Sequence, residues 1–357
     1  MSHIEAFSQL AEKILSAYNS TGNKHDALGA ISNEHLQAFM ARSEFDPGDF
    51  LAWSIGTKEL PVQGWNFDFG EPAITVARND LLRIDLLFWM QKAAPVHDHV
   101  TCGSFGALLG DRLHTRYSFD GVSAEDADIT VGQLNVHDFH FMREGEAAEI
   151  QPDLIHDIYW LDTPSVTIVV RCNEHPGVTR RPADYLWPGL RIVDPLRLQD
   201  SLVKRRTEAL DLLAQADEGI YVEAMTEVFR SGSASQKVAA FVGAAVAHPD
   251  ALDGALAGLH QHDEVLTQLT RGRAALVKRS TFGGTFAGED DEAQMLAGLL
   301  WANVERAVLL EALAEIAHDG DGQAALGRAY AGLLELGDLQ VELDTALGAL
   351  GLLPARV

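Results

Sequence analysis

Between residues 61 and 176 the chain carries eight short apolar, β-branched runs with no helical text between them. They are AITVA (73–77), LLRIDLLFWM (81–90), HVTCGSFGALLG (99–110), RLHTRYSF (112–119), QLNVHDFHFM (133–142), AAEIQ (147–151), LIHDIYWL (154–161) and SVTIVVRC (165–172). Turn signals such as ARND, FDG, REGE, QPD and DTPS separate them. A parallel pair of strands needs a crossover long enough for a helix, and these gaps are too short for one. The middle of the chain is therefore expected to form an antiparallel sandwich or small barrel.

The flanks read differently. Ile4, Phe7, Leu10, Ala11, Ile14 and Leu15 recur at helical spacing, and EHLQAFMAR follows a capping Asn33. Residues 1–60 are thus an N-terminal helical segment, with FDPGD (45–49) as a turn. Residues 61–178 are the strand domain. The stretch 175–197 holds four prolines, so 179–198 reads as a linker. From 199 to 357 Ala and Leu dominate at helical period, in runs such as SLVKRRTEALDLLAQA and DEAQMLAGLLWANVERAVLLEALAEIAH. The predicted class is α+β, with a strand domain between a helical segment and an all-α domain.

Two cysteines, Cys102 and Cys172, argue against a disulfide framework and suit a reducing, cytoplasmic compartment. The start MSHIEAFSQLAEKIL lacks a basic leader, and no apolar run reaches the ~18 residues of a membrane span. A net charge of −25 disfavours nucleic acid and anionic membrane as partners, because phosphate binding needs clustered Lys and Arg. The partner expectation is a small-molecule substrate, with a homodimer through the helical domain as a further one.

The chemistry centres on APVHDHV (94–100). On a strand, residues two apart share a face, so His97 and His99 project together and Asp98 points away. Two imidazoles on one strand are ligand geometry for one ion, and a third ligand must come from another strand.

The surroundings of this pair resemble the cupin superfamily. Its first motif, G-x5-H-x-H-x3-E-x6-G, falls here on Gln91, His97, His99, Gly103 and Gly110. Its second, G-x5-P-x-G-x2-H-x3-N, falls on Gly145, Gln151, Asp153, His156 and Trp160. Both metal-binding histidines of the first motif and the histidine of the second are present, and the glutamate is replaced by Gly103. The resemblance implies a jelly-roll β-sandwich and three neutral imidazole ligands, His97, His99 and His156. Such a set suits Fe(II), Zn(II) or Cu(II). His114, His137 and His140 are rival ligands that read better as supporting or surface residues.

Within that superfamily PVHDHVTCGSFGALLGDRLHTRY looks like the cysteine dioxygenase branch, the thiol dioxygenases. That likeness implies Fe(II) and O2 chemistry. It makes Arg78, in ARND before a strand ending in Trp89, the candidate clamp for a substrate carboxylate. The branch's Ser-x-His-x-Tyr strand falls on Thr167, Val169 and Arg171, so its His and Tyr are gone and Arg171 puts a positive charge in their place. Tyr117, with His114 and Arg116, is a candidate replacement donor. The functional expectation is an O2-dependent, three-histidine Fe(II) oxygenase acting on a small polar, carboxylate-bearing substrate. The alternatives are a non-redox zinc hydrolase, lyase or isomerase, and a small-molecule-sensing module. A single Glu-x-x-His unit (Glu315 to His318) and HQHDE (260–264) read as structural and loop residues.

Overall fold

The structure is a computed structural model, and it describes residues 4–22, 24–42, 45–63, 69–125, 128–193, 201–257, 259, 263–283, 290–335 and 339–352. The N-terminal segment forms α1 (Glu5–Ser20), α2 (Leu28–Met40) and α3 (Pro47–Gly56). Phe7, Leu10, Ala11, Ile14 and Tyr18 form one buried stripe on α1, as their three-and-four spacing dictates. Asp46 caps α3 by accepting from the Asp49 N–H, and Pro47 occupies the first turn, where its missing N–H costs nothing.

The strands are β1 (Ala73–Arg78), β2 (Leu82–Trp89), β3 (Val96–Asp98), β4 (Gly103–Leu109), β5 (Arg112–Ala124), β6 (Ile129–Met142), β7 (Ala147–Ile150), β8 (Ile155–Trp160), β9 (Ser165–Cys172), β10 (Ala183–Leu186) and β11 (Leu190–Val193). Five form a sheet in the order β1-β2-β9-β4-β7, and six close into a barrel in the order β10-β11-β6-β5-β8-β3. The strand pairs are antiparallel. The region expected to be a linker instead carries β10 and β11. They pair with β3 and β6, so the barrel closes only at Val193. Four prolines misled the reading, since Pro182 and Pro188 flank short strands rather than interrupt a long one.

Beyond residue 200, among the described residues, come α4 (Ser201–Ala216), α5 (Glu218–Ser231), α6 (Ala234–Ala247), α7 (Pro249–Ala257), α8 (Glu264–Phe282), α9 (Asp291–Ala302), α10 (Arg306–Ile316), α11 (Gly322–Glu335) and α12 (Gln340–Ala349). Among them, no helix is long and apolar enough to cross a membrane.

Three buried layers follow. The N-terminal helices cover the outer face of the five-stranded sheet, burying Ile84, Leu86, Ile168 and Val170. Leu87, Trp89, Phe105, Ile158, Trp160 and Val169 fill the space between sheet and barrel. The helical half covers the barrel from outside, with Leu113 and Tyr159 under α9 and Ile129, Val131, Leu190 and Ile192 under α5, α6 and α8. Each such side chain contributes about 1.5–3 kcal/mol when fully buried. Gly272 of α8 permits this contact: a Cβ there would lie 1.9 Å from the Trp187 carbonyl oxygen.

Candidate metal centre

His97 sits on β3, His99 one residue beyond its end, and His156 on the neighbouring β8, where it pairs directly with His97. One ligand atom from each lies within 4.8 Å of the others, and no other such group occurs among the described residues. The Nε2 atoms of His99 and His156 are 2.8 Å apart. Two nitrogens each about 2.1 Å from a common ion, at right angles, are about 3.0 Å apart. The cluster therefore has the dimensions of a metal site.

The outer nitrogens fix the tautomers. His97 Nδ1 lies 2.9 Å from the Pro95 carbonyl oxygen, so it donates there and leaves Nε2 as a lone pair. His156 Nδ1 lies 2.9 Å from His114 Nε2. Because burial lowers the pKa of His97 and holds those of His99 and His156 well below the usual imidazole range, all three rings are neutral. Burial also pushes His114 down to about 3, with Arg116 and His140 adding to the effect. Neutral imidazole is the form that binds metal.

Asp98 projects to the opposite side, as alternation requires. Its carboxylate accepts from Arg180 at 2.6 Å, Tyr185 at 2.8 Å and the Ala183 N–H at 2.9 Å. It thus ties the ligand strand to the β10 segment. Gly103, at the position of the missing glutamate, admits no side chain: a Cβ would meet the Val170 carbonyl oxygen at 2.0 Å.

The histidines line a cavity of about 510 Å³ between sheet and barrel. The wall is mostly apolar. The Phe69 ring stands 5.1 Å from the His97 ring, Phe105 stands 5.4 Å from His156, and Trp89 stacks on Trp160 at 4.1 Å. Arg171 lines the same cavity, at the end of β9 nearest the histidines, and its charge lowers the pKa of both His97 and His99. Its Nε lies 3.1 Å from Asp85, and Arg83 meets the same carboxylate at 3.2 Å. Burial lowers Arg171 to about 10, so it stays charged at neutral pH.

Two expected site residues lie elsewhere. Arg78 is exposed at the end of β1, opposite Arg83, and does not line the cavity. The Arg-Asn pair precedes a turn at the sheet's rim, which carries the guanidinium outward. Tyr117 sits on the outer face of the barrel. Its hydroxyl donates to Asp157 at 2.7 Å, beneath the helical half, and Asp157 also receives Arg279 of α8 at 2.6 Å. His137 and His140 are exposed at their side chains, His137 Nδ1 lying 3.3 Å from Asp138 and His140 Nε2 3.6 Å from Glu146. Glu315 pairs with Arg143 at 3.6 Å, and residues 260–262 lie outside the described residues. Cys102 and Cys172 are free and buried, their sulfurs 3.4 Å apart.

The sequence reading missed what holds the site from behind. Buried Arg112 donates to Thr167 at 2.6 Å, and Lys92 donates to Gln294 of α9 at 2.6 Å. The available signal was a charged residue inside or beside an otherwise apolar run, as Arg112 in RLHTRY and Lys92 in FWMQKAAPV.

No protein-family model matches the chain, and no curated protein does. Solved structures similar to it include the DMSP lyase DddQ from Ruegeria pomeroyi DSS-3 (12% identity over 50% of this chain and 94% of that one, TM-score 0.27). Oxalate oxidase in complex with the substrate analogue glycolate is another (16%, 52% and 82%, TM-score 0.24). A third is hydroquinone 1,2-dioxygenase PnpCD in complex with Cd2+ and 4-hydroxybenzonitrile (9%, 29% and 63%, TM-score 0.22). The chain spans half the length of a further DMSP lyase chain that it matches. The chemistry of the site rests on its own side chains.

Proposed function

We propose that the chain is a cupin-type, jelly-roll metalloenzyme whose three-histidine centre holds iron(II) and oxidises a small anionic substrate with O2, in the manner of thiol dioxygenases but with a rebuilt pocket. The observation that carries this reading is the convergence of His97, His99 and His156 on one point of a cavity wall that also presents Arg171. Three imidazoles, with neither thiolate nor carboxylate among them, suit a borderline divalent metal and add no charge of their own. Bound there, iron(II) would supply one-electron chemistry with O2.

The chain's own residues do the rest. His114 and the Pro95 carbonyl orient two ligand rings. Arg171 receives the substrate's anionic group, since a guanidinium pairs a carboxylate with two parallel hydrogen bonds. Phe69, Phe105, Trp89 and Trp160 exclude water around it.

Metal analysis of the purified protein, read beside O2 uptake with a panel of thiols and carboxylic acids, tests the proposal. The expected result is near-stoichiometric iron with substrate-dependent O2 consumption. Stoichiometric zinc with turnover that persists without O2 would replace it with non-redox metal chemistry.

A further inference from the structure

The chain has two cysteines, 70 residues apart in sequence, and the fold sets them side by side. β4 and β9 pair antiparallel with Gly103 opposite Arg171 and Ser104 opposite Val170. The next position of the same register sets Cys102 against Cys172, and the Cys172 N–H donates to the Cys102 carbonyl at 2.9 Å. Directly opposed residues of antiparallel strands have Cα atoms about 4.5–5.5 Å apart, a span that a disulfide bridges. The sulfurs are 3.4 Å apart, and both cysteines are free. Small side-chain rotations would bring them to the bonded separation of about 2.05 Å.

The two sulfurs are not equivalent. Cys172 Sγ receives the Cys102 thiol at 3.4 Å and the Cys102 N–H at 3.4 Å, and the Thr101 hydroxyl stands 3.2 Å away. Donors aimed at one sulfur favour its thiolate. The Cys102 thiol, first among them, holds Cys172 below the usual thiol range against the opposite pull of burial. The same contact, burial and Asp26 push Cys102 up. Cys102 Sγ also lies 3.5 Å from the His25 carbonyl oxygen, but a negative sulfur is the stronger draw for its one proton.

Cys102 is 0% and Cys172 3% exposed. Beside them stand half-buried side chains: Thr101, which also lines the central cavity, and His25 and His175, whose rings are 5.7 Å apart. Such a cover bars a tripeptide disulfide and admits an oxidant of two heavy atoms.

We propose that Cys102 and Cys172 are a redox-active dithiol that hydrogen peroxide converts, reversibly, to an intramolecular disulfide. The Cys172 thiolate attacks one peroxide oxygen; the O–O bond breaks, and the departing hydroxide takes a proton to become water. Sulfur is oxidised by two electrons to the sulfenic acid, and peroxide is reduced. Cys102 then attacks that sulfur; the S–S bond forms, the S–O bond breaks, and the leaving hydroxide takes the Cys102 proton as a second water. The bridge staples the end of β9 to the segment that leads from His99 into β4. This chemistry needs no metal and does not depend on the oxygenase reading.

The test treats the reduced full chain with hydrogen peroxide, with and without a chelator, and maps its thiols by peptide mass under non-reducing conditions. Both thiols are expected to disappear together, chelator or not, into one cross-linked peptide pair joining residues 102 and 172, two hydrogens lighter. Dithiothreitol should restore both. Oxidised glutathione should react at least tenfold more slowly than peroxide. Cys102→Ser should stop at a Cys172 sulfenic acid that dimedone traps, and Cys172→Ser should slow oxidation of Cys102 at least tenfold. The map of the unaltered chain decides the matter even where a variant fails to fold. Thiols that survive an exposure that consumes free cysteine would overturn the proposal. So would sulfinic acid on one cysteine beside a free partner, bridges between two chains, or a bridge that forms only without chelator.

Discussion

The ring of His114 stands nearly perpendicular to that of His156, at 87°, with its Nε2 2.9 Å from His156 Nδ1. A metal-binding His156 must carry its proton on Nδ1, so His114 must accept there and carry its own proton on Nδ1. On the proposed reading, a residue outside the three-histidine set thus sets the tautomer of one inside it. His114→Ala should lower metal affinity by about 10–100-fold, the usual cost of losing such a partner. Competition against a chelator of known affinity measures it, and an unchanged affinity would show that the pair is mere packing.

The same burial makes stability depend on pH. His114 is pushed down to about 3, while an unfolded histidine titrates near 6.5. Between these values the unfolded chain binds a proton that the folded chain refuses. Stability is therefore complete above about pH 6.5 and declines as the pH falls towards 3. His97, His99 and His156 are shifted in the same direction. Each contributes a slope of about 1.4 kcal/mol per pH unit within its window. Urea midpoints of the metal-free protein at pH 7.5 and pH 5.0 should differ clearly, with the lower pH less stable, and His114→Gln should flatten the difference.

Arg279 and Asp157 form a buried ion pair between the helical half and the barrel, with side chains 12% and 1% exposed. Arg279 also lies over the Trp301 ring, 4.0 Å from its centre. Removing one partner strands the other charge in a dry interior. Arg279→Ala should cost about 3–5 kcal/mol, and combining it with Asp157→Asn should recover part of that. A double-mutant cycle by chemical denaturation reads the coupling. Additive losses would count against the pair.

Gly103→Glu would supply the acid that the four-ligand cupin motif carries at this position, yet it should not create a fourth ligand. Its Cβ alone would collide with the Val170 carbonyl oxygen. Gly103→Ala should already lower the melting temperature sharply or prevent soluble expression. A soluble Gly103→Glu protein with raised metal affinity would refute this.

The strands and the histidine cluster were legible because both follow local rules. Alternation alone separates His97 and His99 from Asp98, and the runs from AITVA to SVTIVVRC recur as strands with small shifts at their ends. The barrel's closure was not legible. β10 and β11 are four residues each, bounded by prolines, and are held by long-range pairing with β3 and β6 that no local pattern announces. The sidedness of β5 was equally hidden. Whether Tyr117 faces the cavity or the helices depends on which sheet β5 joins, and its pairing with β8 sends the hydroxyl outward to Asp157. Arg78 failed for a different reason, since its role was carried over from a likeness while its position at the rim was set by the β1–β2 turn.

Because β3 lies between β8 and β10, the segment that carries His97 has no second neighbour until the chain has reached Leu186. During synthesis, which proceeds from the N-terminus, all three histidines leave the ribosome while that strand is still an open edge. Metal capture at full strength should therefore come late, after the β10–β11 hairpin has arrived. A nascent chain halted just before residue 183 should hold its ion more weakly than one halted beyond Val193.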